Sequence, residues 1–144
     1  MHREATLPEY HSQSFRKREA KRSKPELMPQ PTARTTGKVA YHVPCHLRVQ
    51  NIGLKTRDVL TLVPGTTLTT IERCSGHDGT YAVKREYHAI SMKIARPVVE
   101  RVEAAEADHL VSDCPMAGQQ IASGLGQGLE PENPIRLLRQ AYGI

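Results

Sequence analysis

The chain has no tryptophan and a single phenylalanine among its 144 residues. That residue, Phe15, lies in a charged N-terminal stretch interrupted by Pro8, Pro25, Pro29 and Pro31, so any core must be built from aliphatic side chains. Long apolar runs are missing, which excludes a transmembrane helix at the level of sequence. The N-terminal stretch also lacks the apolar segment of a secretory signal peptide. Cysteine is scarce and odd in number, three in all with no CxxC pair, which argues against a closed disulfide framework. The expected compartment is the reducing cytoplasm. No catalytic serine triad, phosphate loop or dinucleotide fingerprint is visible. Gly124–Leu125–Gly126–Gln127–Gly128 is glycine-rich but follows a predicted helix, not a strand, and so lacks the context of a nucleotide site.

Charge is distributed unevenly. Residues 1–38 hold nine Lys and Arg against four Glu, while residues 39–144 are balanced, so the whole formal charge of +5 belongs to the N-terminal segment. Residues 1–37 read as a disordered basic leader and residues 38–144 as one domain. A short basic helix over Ser14–Lys24 would be marginal on its own, having no consistent apolar face. A charge run is a solvated leader more often than a nucleic-acid arm, so no nucleic-acid partner is expected.

From Lys38 onward the pattern predicts strands at Val39–Val43, Thr67–Arg73 and His109–Asp113. Helices are predicted at Thr56–Val63, Tyr81–Ala105, Pro115–Ser123 and Pro134–Tyr142. Val59, Leu60 and Val63 form the inward face of the first helix. Ile90, Ile94, Val98 and Val102 form that of the second, where Pro97 should make a kink or mark a junction. Ile135 and Leu138 are expected to point inward from the last, with Leu137 a further inward choice. This order gives an α/β fold, a small parallel sheet flanked by helices.

Each cysteine comes just past the end of a predicted strand: Cys45 after Pro44, Cys74 before Ser75–Gly76, and Cys114 before Pro115. In a parallel sheet the carboxyl ends of the strands share one edge, where ligands bind, so three thiols placed alike can meet. Soft thiolates select iron–sulfur clusters, zinc or copper over hard ions. Three thiolates leave one position open on a tetrahedral metal or a four-iron cluster, and His46, His77 and Asp113 are the local choices for it. Gly76 and Gly79 let the loop after Cys74 wrap an anionic group closely. Free cysteine also packs as a small apolar side chain, and spacing alone leaves that reading open. His42 and His109, inside strands, read as packing or hydrogen-bonding residues, and Asp113 as a cap for the helix that follows.

Tyr41–His42–Val43–Pro44–Cys45–His46, Cys74–Ser75–Gly76–His77–Asp78–Gly79–Thr80–Tyr81 and Asp113–Cys114–Pro115 together resemble the cysteine-rich (CCG) domain family. That domain occurs in the B subunit of heterodisulfide reductase, the iron–sulfur subunit of anaerobic glycerol-3-phosphate dehydrogenase, and glycolate or lactate oxidation complexes. Asn133–Pro134–Ile135–Arg136–Leu137–Leu138 fits the tail of the glycerol-3-phosphate dehydrogenase iron–sulfur protein. The resemblance covers about Lys38–Ile144. In the family a lone cysteine, a Cys-Cys-Gly and a Cys-x-x-Cys supply five thiols. Here Cys45, Cys74 and Cys114 match three of them, Gly76 matches the glycine, and Ser75 and Ala117 stand where the other two thiols would be. The ferredoxin-like cysteine motifs and second cysteine-rich domain of larger members are not found in this sequence.

The resemblance implies an iron–sulfur cluster, of 4Fe-4S type, held by Cys45, Cys74 and Cys114, with His77 or His46 nearby. It implies a non-catalytic electron-transfer domain or subunit of an oxidoreductase complex. Its partners would be the other subunits, a flavoprotein or ferredoxin-like donor or acceptor, and peripheral membrane association stays open. The alternatives are zinc on Cys45, Cys74, Cys114 and His77, or a degenerate scaffold or interaction domain without a cofactor.

Overall fold

A computed structural model of the chain describes Arg34 and residues 36–78, 82–126 and 128–144. Residues 1–33 of the expected disordered leader, with the marginal helix at Ser14–Lys24, and the loop glycine Gly79 lie outside the described residues. The element order is β1 (Lys38–His42), α1 (Cys45–Val49), α2 (Lys55–Leu60), β2 (Thr67–Ile71), α3 (His88–Ala104), β3 (His109–Ser112), α4 (Pro115–Leu125), β4 (Pro131–Glu132) and α5 (Pro134–Tyr142). The strands form one sheet in the order β2-β1-β3-β4, and every pairing is parallel. The expected α/β class and small parallel sheet are therefore present.

Alternation along the strands sends successive side chains to opposite faces. On one face Ala40, Ile71 and Leu110 pack against Val98, Val99 and Val102 of α3 and Ile121 of α4. On the other, Val39, Tyr41, Val43 and Val111 pack against Leu60 of α2 and Leu137 of α5. The sheet is thus the middle layer of three. Full burial of each Val, Leu or Ile in these layers contributes roughly 1.5–3 kcal/mol, and it is this burial that holds the strand ends where the site lies.

Two short elements carry no signal in the sequence. Pro44 ends β1 and is also the N-cap of α1, so a five-residue helix starts at Cys45. β4 has only Pro131 and Glu132, too few residues for any periodicity, and its proline is tolerated at the sheet edge.

The long helix departs from expectation in both start and phase. Residues 82–87 form turns and α3 begins at His88. Its buried positions are Ser91, Ala95, Val98, Val99 and Val102, while Ile90 and Ile94 are 47% and 43% exposed. The reason is the loop at Gly76. A Cβ on Gly76 would run into the Ser91 carbonyl and lie 3.2 Å from the Ala95 nitrogen. The backbone approaches so closely that small residues must face it, and the isoleucines are turned outward. The helix runs on through Pro97. Pro97 and Lys93 are both exposed, so the carbonyl that loses its i+4 donor stays open to water.

In α2, Leu60 is buried with Val63 just beyond it, but Val59 is 44% exposed. In α5 the inward residues are Pro134, Leu137 and Ala141, whereas Ile135 is 70% exposed and Leu138 half-buried. The phase is set at the start, where Asn133 Oδ1 accepts from the Ile135 N–H at 2.9 Å. Arg34 N–H donates to the Ala141 carbonyl at 2.8 Å, and the Thr36 and Thr66 hydroxyls lie 2.6 Å apart. No helix among the described residues is long and apolar enough to cross a membrane.

Candidate functional site

His42 of β1 is in register with Ile71 of β2 on one side and Ser112 of β3 on the other. The three strands therefore end level with one another. Cys45 follows its strand end by three residues, Cys74 by three and Cys114 by two. The chain leaves β1 for β2 on one side and later returns to β3 on the other, so the edge beyond β1 and β3 is a topological switch point, where open parallel sheets bind ligands.

A cavity of about 200 Å³ opens there. Its lining includes Cys45, Cys74 and Cys114 together, with His42, Pro44, His46, Arg73, Ser75, His77, Asp78 and Ala117. Cys45 and Cys74 are exposed and Cys114 half-buried, and all three are free thiols. His46 and His77 stand beside them, as their places in the sequence imply. Ser75 and Ala117, the positions where the resemblance expects two further thiols, also line the cavity and are 5% and 4% exposed.

Asp113 is not part of the lining. Its Oδ2 accepts from the Tyr41 hydroxyl at 2.6 Å and its Oδ1 from the Thr56 hydroxyl at 2.9 Å. Both oxygens face the opposite layer, so Asp113 is neither a ligand choice nor the cap of α4, whose N-cap is Cys114. Burial, and then the bond to Asp113, push the Tyr41 hydroxyl far above the usual phenol range. Tyr41 thus stays a donor, and fastens the end of β3 to β1.

His42, expected as a packing or hydrogen-bonding strand residue, has a specific job. Its Nε2 lies 3.0 Å from the Arg73 carbonyl and its Nδ1 3.1 Å from Ser112 Oγ. A carbonyl can only accept, so Nε2 carries the proton and Nδ1 accepts from the Ser112 hydroxyl. Ser112 Oγ in turn accepts from the Cys114 N–H at 3.3 Å. One neutral imidazole therefore ties the residue before Cys74 to the backbone of Cys114. Burial, helped by the Arg48 charge, holds His42 below the usual imidazole range, against the smaller opposing influences of the Arg73 carbonyl and Asp113.

The loop after β2 supplies a direct contact to sulfur. Gly76 N–H donates to Cys74 Sγ at 3.4 Å, with Gly76 at φ +76°. This is the left-handed conformation that glycine adopts without a Cβ penalty. Among the described residues no group of three or more His, Cys, Asp or Glu side chains is arranged to hold a metal ion. The three thiols share one cavity.

A family model described as the cysteine-rich domain (CCG) matches residues 39–122, which include all three cysteines, the cavity lining and the His42 relay. The chain belongs to the cysteine-rich domain family. This cysteine-rich domain chain is similar to the C subunit of anaerobic glycerol-3-phosphate dehydrogenase from Escherichia coli strain K12, at 38% identity over 105 residues. The same protein of Escherichia coli O157:H7 matches at the same identity and length. In both cases the match covers 72% of the chain but 26% of the relative, so the chain spans about a quarter of the curated relatives it matches. No solved structure gives a significant match.

Sequence reasoning missed His42, Arg73 and Asp78 as members of the lining. His42 is hidden by its place in a strand, and only the register shows that it reaches both neighbouring strand ends. Arg73 and Asp78 are ordinary charged loop residues whose signal is their adjacency to Cys74 and His77.

Proposed function

We propose that this cysteine-rich domain holds an iron–sulfur cluster, of four-iron type, on Cys45, Cys74 and Cys114. It would act as a non-catalytic electron-transfer domain or subunit of an oxidoreductase complex in the cytoplasm. The observation that carries this is the convergence of the three thiols on one cavity at the switch point of the sheet. The donor set fits. It offers three soft sulfurs, a hydrogen-bond donor on one of them, and a cavity about seven times the share of one liquid water, which is roughly 30 Å³.

When bound, the cluster supplies one-electron transfer at a potential set by burial and hydrogen bonds to sulfur. The chain's own residues do the rest. Gly76 N–H offsets negative charge on Cys74 Sγ. His42 fixes the spacing between the Cys74 and Cys114 segments. His46 and His77 stand at the rim as choices for the fourth position. Arg73, also in the lining, places a positive charge where thiolate charge accumulates. The Escherichia coli relatives are named as subunits of a dehydrogenase, which supports partners in the form of other redox proteins, with a flavoprotein or ferredoxin-like donor or acceptor.

A second reading, a cofactor-free interaction domain, is favoured by one observation: two of the five family thiol positions are Ser75 and Ala117. Anaerobic reconstitution with iron and sulfide, followed by assay of iron, labile sulfide and zinc, separates the readings. A brown protein with iron and sulfide near equal amounts supports the cluster. Zinc without sulfide supports the single ion. A colourless protein with neither supports the scaffold.

A further inference from the structure

Two buried polar residues outside the cavity connect to the one hydrogen bond made to a thiol among the described residues. Ser91 in α3 is fully buried, and its hydroxyl donates to the Gly76 carbonyl at 2.8 Å. Gln120 in α4 is 9% exposed, and its Nε2 donates to Ser91 Oγ at 2.7 Å. The same amide nitrogen lies 3.3 Å from Met92 Sδ. The line of bonds is thus Gln120 to Ser91 to the Gly76 residue, whose N–H faces Cys74 Sγ at 3.4 Å.

Neither residue lines the cavity. Apolar packing alone would favour an Ala–Leu pair at such a place, since buried polar side chains cost free energy unless every group is satisfied. Here the satisfied chain ends on a loop glycine whose positive φ and close contact with α3 admit no other residue. The hydroxyl holds the Gly76 carbonyl from the helix side, and that restrains the glycine's backbone and with it the direction of its N–H.

We propose that Ser91, oriented by Gln120, is a positioning residue for Cys74: it holds the Gly76 N–H on the sulfur from behind the site. The importance of this for a bound cluster rests on Cys74 being a ligand, as proposed above. The hydrogen-bond chain itself is testable without any metal.

The test is a double-mutant cycle on the full metal-free, reduced chain, read as hydrogen exchange of the Gly76 amide by NMR. Loss of one net hydrogen bond corresponds to about fivefold faster exchange. Ser91→Ala should accelerate Gly76 about fivefold while leaving the Ile121 amide, deeper in α4, within about twofold. Cys74→Ala should accelerate Gly76 similarly, and the double variant should add little to either single one. Gln120→Met, which keeps the shape and removes the donor, should act in the same direction more weakly. It also serves should Ser91→Ala fail to fold. Additive acceleration in the double variant would mean that Ser91 supports the loop without acting on the sulfur contact, and would overturn the proposal. Unchanged Gly76 exchange in Ser91→Ala and Gln120→Met would overturn it as well.

Discussion

His42 and Ser112 face each other across β1 and β3, Nδ1 to Oγ at 3.1 Å, at the last paired position of both strands. This contact carries more than its own energy. Through its other nitrogen His42 reaches the residue before Cys74, and through its hydroxyl partner it reaches the N–H of Cys114.

The relay works only with a neutral imidazole, because a protonated Nδ1 cannot accept from Ser112. The fold holds His42 below its ordinary range, chiefly by burial, so between the folded and unfolded values the unfolded chain binds more protons. Stability from this group is complete above the ordinary imidazole value, about pH 6.5, and is lost as pH falls below it. Urea unfolding at about pH 7.5, 6.5, 5.5 and 5.0 should show that decline. His42→Ala should cost about 2–4 kcal/mol at neutral pH through lost packing and stranded partners, and should flatten the decline.

Two glycines share a positive φ and differ in surroundings. Gly76 has φ +76° and Gly126 φ +78°. An added Cβ at Gly126 meets nothing within 4 Å, whereas at Gly76 it strikes the Ser91 carbonyl. Gly126→Ala should cost about 1–3 kcal/mol, the backbone penalty alone. Gly76→Ala should exceed it by at least about 1–3 kcal/mol, because α3 must also give way. Equal losses in denaturant unfolding would contradict the close packing of α3 on the loop.

Tyr41→Phe removes one of the two donors to Asp113 and should destabilise by about 1–3 kcal/mol. The Tyr41 phenol is held protonated well above its ordinary range, so its contribution is present below about pH 10 and lost as pH rises past that value. Ultraviolet titration of the native protein should leave one of the five tyrosines un-ionised until the fold opens. All five ionising together in folded protein would count against this.

The placement of the thiols was legible because it depends on topology. A cysteine just past a strand end goes to the carboxyl edge of a parallel sheet wherever its helix lies. Cys45, Cys74 and Cys114 needed only the strand type and order, which Val39–Val43 and His109–Ser112 announce by their apolar content. What the sequence left obscure depends on close approach. The outward turn of Ile90 and Ile94 follows from Gly76 pressing on Ser91, a contact between residues fifteen apart that periodicity cannot contain. The role of His42 likewise depends on register, and β4 is too short to leave a pattern. Asp113 reads as a ligand or a cap by its neighbours in sequence, yet its partners are Tyr41 of the adjacent strand β1 and Thr56 of α2.

Ser75 and Ala117 line the cavity at the two positions where the resemblance implies further thiols. The double variant Ser75→Cys, Ala117→Cys should therefore bind more iron and labile sulfide per chain on anaerobic reconstitution than the wild-type chain. The same substitutions should leave the wild-type far-ultraviolet circular dichroism unchanged, since each is small. No rise in metal content would mean that these two positions do not face the bound group.

The central claim is that Cys45, Cys74 and Cys114 serve one shared centre. Its most direct test is iron and labile-sulfide content, with the visible spectrum, of the anaerobically reconstituted wild-type chain and of the three single Cys→Ala variants. The wild-type protein should be brown, and each variant should lose most of its iron and sulfide, whichever cysteine is removed. Wild-type protein that stays colourless, or variants that each keep the wild-type content, would contradict it.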